Sequence, residues 1–191
     1  MYKRLIPSLL SLALLLFGGY LLQQQQGRKT AQMPTQTTAP VPPSTQPNNS
    51  VLGAQTKTTG CQVQGQLPDS ACTPGAIISS ATAAQICVSG YSSTVRNVPQ
   101  ATKEQVYAAY GIVTRSPGQY EMDHLVSLEL GGSNEPSNLW PEAADPRPGF
   151  HEKDQVENYL HDQLCTNKMT LQQVQSAIAT NWLDIYSQLQ K

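Results

Sequence analysis

The sequence predicts an α+β fold in which two short strands and a following helix are embedded among other helices and disulfide-linked. Three observations lead there. Gln119–Val126 alternates and is rich in Tyr, Met, Leu and Val, as a strand is. The stretches His151–Leu164 and Leu171–Ile185 carry apolar residues at three- and four-residue spacing, as amphipathic helices do. All four cysteines, Cys61, Cys72, Cys87 and Cys165, lie in this part of the chain, and none forms the C-x-x-C pair of a zinc knuckle.

Ahead of the domain, Lys3 and Arg4 precede an uncharged apolar run, Leu5–Leu22. Eighteen residues at helical rise come close to a hydrocarbon core, so a membrane helix is expected over 1–22. No small-residue cleavage site follows the run, which favours an uncleaved signal anchor over a secreted, cleaved form. The absence of a cysteine after it removes the lipoprotein reading. Lys3 and Arg4 favour an inside N-terminus, whereas Arg28 and Lys29 pull the other way. Residues 23–59 are rich in Gln, Thr and Pro with few large apolar side chains, and a disordered linker is expected there, with a reach of roughly 35 Å. The folded domain is then expected over 60–191, in a periplasmic or extracellular location.

Within it, Cys61–Pro99 reads as turns and short extended pieces, with Ala76–Cys87 ambiguous between helix and coil. Thr102 and Gln105 have the spacing of a capping box, and Gly111 can end that helix in a left-handed cap. After the strand at Gln119–Val126 come Gly131-Gly132 and a loop, and Leu139-Trp140 opens a second short strand. Beyond the proline-broken stretch Pro141–Gly149, the helix His151–Leu164 places Val156, Tyr159, Leu160 and Leu164 on one face. Thr170 and Gln173 cap a last helix bearing Leu171, Val174, Ile178, Trp182 and Ile185. Trp140 and Trp182 are expected in the core. Four cysteines allow three pairings; Cys61–Cys72 and Cys87–Cys165 are favoured, because the first closes a local loop and the second ties the N-terminal half to a C-terminal helix. Such a framework belongs to an oxidising compartment.

Charge argues about partners. From Gly60 onward, 7 Lys and Arg stand against 13 Asp and Glu, a balance of −6. Avid binding to nucleic acid normally shows a basic footprint, because neutralising phosphates releases counterions.

The chemistry-bearing residues are Asp123-His124 at a strand end, Gly131-Gly132, Asn138-Leu139, and His151 with Lys153 at a helix start. Adjacent strand residues point to opposite faces, so Asp123 can hold a cation while His124 faces a substrate. A carboxylate and an imidazole suit Mg²⁺, Mn²⁺ or Zn²⁺. In this order the residues resemble the HNH endonuclease (ββα-metal) family over about Glu121–Lys153. The flanks Cys87–Tyr91 and Thr94–Arg96 resemble small exported bacterial HNH-like proteins.

That resemblance implies metal-dependent hydrolysis of phosphodiesters in DNA or RNA, with one divalent ion. Asp123 and His151 would ligate it, His124 would be the general base, and Asn138 would hold the connecting loop and orient His124. Arg147 or Lys153 would touch phosphate, while Glu121, on the same strand face as Asp123, either stands behind the ligands or is an exposed strand acid. Asn158 and His161 are the alternative ligands on the helix. The chain departs from the family in having Ser127 where proline is common, no bracing cysteine pairs, and the inserted Pro146-Arg147-Pro148-Gly149. Two other functions compete: a non-catalytic binding or structural module on the same scaffold, and hydrolysis of a different phosphodiester that needs no basic groove.

Overall fold

A computed structural model describes residues 52–191. The expected membrane helix over 1–22, and the linker as far as residue 51, lie outside them. Among the described residues no helix is long and apolar enough to cross a membrane. The elements in order are α1 (Ala83–Ile86), α2 (Tyr91–Val95), α3 (Gln100–Ala109), β1 (Tyr120–His124), β2 (Leu139–Ala143), α4 (Phe150–Cys165) and α5 (Leu171–Leu189), with 3-10 turns at Leu128–Leu130 and Pro136–Asn138. The mixed helix and strand class is as expected, and so are both disulfides, Cys61–Cys72 and Cys87–Cys165.

β1 and β2 form an antiparallel pair with Asp123 opposite Trp140 and His124 opposite Leu139. β2 runs through Pro141, which the sequence reading placed in a broken stretch. The register explains why the proline is tolerated. Leu125 N–H donates to Asn138 O at 2.8 Å, so the hydrogen-bonded pairs fall on the odd residues of β1. Pro141 faces Met122 in a non-hydrogen-bonded pair, where its missing N–H removes no ladder bond.

The core forms where α4 and α5 pack with Ile86, Val126 and Leu130. α4 contributes Val156, Leu160 and Leu164, and α5 contributes Val174, Ile178 and Trp182, all at four-residue spacing and all buried. Tyr159, expected on that face, is exposed, because the buried stripe is narrower than the apolar pattern suggested. Trp140 and Trp182 are buried as expected. α5 carries the expected Thr170 and Gln173 capping box. It also breaks at Asn181, whose Oδ1 accepts from Leu183 N–H at 3.2 Å and so starts the helix afresh.

Three other expectations change. α3 starts at Gln100 with Pro99 before it, leaving Thr102 inside the helix instead of capping it. Proline's fixed φ is already suited to a helix start, so the helix begins three residues earlier. Within Cys61–Pro99, α1 resolves the stretch left open between helix and coil, with an unforeseen capping box between Thr82 and Gln85, and α2 replaces an expected turn or extended piece. Residues from 52 to 59 belong with the domain. Thr56 and Lys57 N–H groups donate to Ala71 O, Gln55 donates to Cys72 O, and Lys57 pairs with Asp69 at 2.8 Å. Composition alone marks such a polar strand of chain as unstructured, because its stabilising partners are distant in sequence.

Candidate active site

Asp123 and His124 end β1, and the chain then turns sharply through Ser127 into Gly131-Gly132. Asn138 holds this turn closed. It is fully buried, donates to Val126 O and Ser133 O at 2.9 Å each, and accepts from Val126 N–H at 2.8 Å. Gly132 lies so close that a Cβ there would sit 1.7 Å from Val126 O, so only glycine fits. Asn138 therefore clamps the connecting loop, as the motif implies.

The residue that touches the His124 ring is Asn134, which the sequence reading passed over. His124 Nε2 lies 3.3 Å from Asn134 Oδ1. The Asn134 amide is held in turn by Val95 O, which accepts from Nδ2 at 2.8 Å, and by Asn97 N–H, which donates to Oδ1 at 3.1 Å. Its only sequence signal was its place after Gly-Gly, where an asparagine reads as ordinary loop chemistry. The imidazole is 4% exposed, and burial pushes its pKa down to about 4 against the opposing charge of Asp123. His124 is therefore neutral near pH 7 and can accept a proton.

That depression has a sign. An unfolded chain protonates this ring near its ordinary 6.5, whereas the folded domain does so only near 4, so acid favours the unfolded state over that window. Relative to His124→Gln, which cannot titrate, the wild type is expected to lose about 3 kcal/mol of stability between pH 6.5 and 4. Urea denaturation of both proteins across that range measures it. A constant gap would contradict a buried neutral ring.

Asp123 faces a buried charge cluster. Lys153, 1% exposed, has its Nζ 2.7 Å from Asp123 Oδ2, donates to His124 O at 2.9 Å, and pairs with Glu157 one helical turn on. Glu142, on β2, is 1% exposed. Burial disfavours the charged form of every member. At Asp123 burial is outweighed only by the Lys153 charge together with hydrogen bonds from Glu142 and Lys153, and its pKa is lowered. At Lys153 the three carboxylates likewise outweigh burial and its pKa is raised. Glu157 is pushed up to about 7 by burial, partly countered by Lys153. Glu142 is raised well above the usual range, first by burial and then by the Asp123 charge. As two carboxylates, Asp123 Oδ2 would have only its ion pair with Lys153, and both Glu142 oxygens would be buried without a hydrogen bond. A proton on Glu142 converts that repulsion into a donor and an acceptor.

The other predicted site residues are placed as follows. Lys153, expected at phosphate, is instead the buried countercharge of Asp123. His151 is exposed and its ring lies 4.2 Å from that of Phe150. Arg147 is exposed and pairs with Glu152 at 3.3 Å, whose other oxygen accepts from Gly149 N–H and caps α4. Glu121 lies on the Asp123 face of β1, opposite Glu142, and is exposed. Asn158 bonds back to Asp154 O in its own helix. His161 lies against the Cys87–Cys165 disulfide, 3.5 Å from Cys165 Sγ and 3.4 Å from Ile86 O. Asp154 and Arg96 were not foreseen in the site. Asp154 interacts electrostatically with both Asp123 and His151, and exposed Arg96 acts on His124 and Glu121.

Oxygen donors of this kind suit a hard divalent cation. However, an ammonium already occupies the neighbourhood of Asp123 Oδ2. Among the described residues, the one group of three His, Cys, Asp or Glu side chains with ligand atoms within 4.8 Å of one another is Cys87, His161 and Cys165. Two of those sulfurs are joined to each other. Among the described residues Asp123 and His151 are thus not assembled with a third such ligand. Comparisons of the chain with family models, with curated proteins and with solved structures returned no match.

Proposed function

We propose that this domain hydrolyses phosphodiesters, in DNA or RNA outside the cytoplasmic membrane, with His124 as the general base. The observation carrying this reading is the state of His124: a neutral imidazole at a strand end, held by Asn134 on one nitrogen. The HNH-like order of Asp123-His124, Gly131-Gly132, Asn138 and His151 supports the same chemistry. Water attacking phosphorus gives a proton to the imidazole as the P–O bond to the leaving oxygen breaks. Arg96 is the exposed cation available to the phosphate. The HNH-like order implies one divalent ion such as Mg²⁺, Mn²⁺ or Zn²⁺, and assays with each metal or with chelator test that. The two disulfides fit the oxidising side of a membrane.

A second reading, a non-catalytic module on this scaffold, has two observations in its favour: the −6 balance from Gly60 onward and the pairing of Asp123 with Lys153. Glu121 and Asp154, both acting on Asp123, outnumber Arg96 around the site, which also suits a small or cell-envelope phosphodiester over tightly held duplex DNA.

The purified protein incubated with plasmid DNA, single-stranded DNA and RNA, with each metal or with chelator, decides between them. Wild type is expected to cleave, and His124→Gln to lose about 10²–10⁴-fold in rate. His124 is more buried than its strand-end position implied, so glutamine, which keeps most of its volume, is the better replacement than alanine. Equal rates in both proteins would remove His124 as the base. No cleavage by wild type with any metal would favour the non-catalytic module.

A further inference from the structure

His124 is gripped at two points. Its backbone carbonyl accepts from buried Lys153, and its ring meets Asn134. The orientation of the Asn134 amide is not free. Of the two ends of that amide, only Nδ2 can donate to Val95 O and only Oδ1 can accept from Asn97 N–H. Reversing the amide would set two donors against each other and two acceptors against each other. Oδ1 must therefore accept from His124 as well, so Nε2 carries the ring proton.

We infer that Asn134 is a positioning residue that sets the tautomer of His124, holding the proton on Nε2 and leaving the Nδ1 lone pair as the atom that receives a proton from substrate water. Nδ1 makes no hydrogen bond among the described residues, in keeping with that assignment. The loop carrying Asn134 is itself pinned on both sides. Ser133 O accepts from Asn138, and Ser133 Oγ accepts from Glu135 N–H. Val95 and Asn97 come from the end of α2 and the residues beyond it, some 37 positions earlier than Asn134 in sequence. The ring's chemistry thus depends on a segment outside the HNH-like stretch.

The catalytic part of this inference rests on the proposed phosphodiesterase reading, whereas the tautomer does not. Long-range ¹H–¹⁵N correlation spectra of the histidine rings at neutral pH read the tautomer without any activity. The expected result for His124 is a protonated Nε2 and an unprotonated Nδ1 in wild type. Asn134→Ala is expected to give a mixture. Protonated Nδ1 in the wild type, or an unchanged pattern in Asn134→Ala, would overturn the inference, and the wild-type spectrum decides even if a variant fails to fold. In cleavage assays, Asn134→Ala should lower kcat about tenfold with KM little changed. A KM effect alone would contradict a role through His124. A wild type with the Nε2–H tautomer but no cleavage would uphold the clamp and remove the catalytic reading.

Discussion

Lys153→Met is expected to destabilise the domain by about 3–5 kcal/mol, the cost of breaking a buried ion pair from one side. The side chain is 1% exposed, and its ammonium holds Asp123 and Glu157 while donating to the His124 carbonyl. Removing that charge leaves carboxylates buried together with no cation among them. Methionine keeps the length and packing of the stem, so the loss reports on charge and not on a cavity. A domain with an ordinary stability of about 5–15 kcal/mol would survive, weakened. The deficit should shrink in acid. In wild type the lowered pKa of Asp123 contributes stability above its unfolded value, which is lost as pH falls; the variant has no such contribution to lose. Urea denaturation at pH 7 and pH 4 measures both effects. A loss under about 1 kcal/mol at pH 7 would show that the cluster is not held by Lys153.

The two disulfides should differ in worth. Cys87–Cys165 spans 78 residues and Cys61–Cys72 only 11. On the chain-entropy account, opening the long loop by a Cys87→Ala/Cys165→Ala double variant costs about 4–5 kcal/mol, and opening the short one about 3. The long bridge also joins the turn after α1 to the end of α4, and the segment that leads from it through α2 supplies Val95 and Asn97 to Asn134. Its loss should therefore broaden the His124 ring signals, whereas loss of the short bridge should not. Melting curves and the same ¹⁵N spectra test both statements. A larger stability loss from the short bridge would reverse the ordering.

Local chemistry made much of the site legible. Asp123-His124 is a strand end because Tyr120–His124 alternates. Gly132 is required by the close approach of Val126 O, and Asn138 has the polar atoms to satisfy three backbone groups of the turn. Lys153 was misread for an instructive reason. A lysine near a motif histidine usually reads as a solvent-facing cation, yet it lies three residues before Val156 and four before Glu157, on the inner side of α4. Glu142 has the same history, since it alternates with buried Trp140 on β2 and is carried inside with it.

By itself the sequence determined the helix periodicities of α4 and α5, the strand at Asp123-His124, the turn chemistry of Gly131-Gly132 and Asn138, and a cysteine spacing whose favoured pairing the fold adopts. These follow from short-range geometry, in which each residue's role depends on neighbours a few positions away. Only the tertiary structure decided that Lys153 neutralises Asp123, that Glu142 is buried beside them, that residues 52–59 join the domain, and that Asn134, held by Val95 and Asn97, touches the His124 ring. Each of those depends on burial and on partners 10 to 39 positions apart, where a side chain's charge and protonation are set by what the fold packs against it.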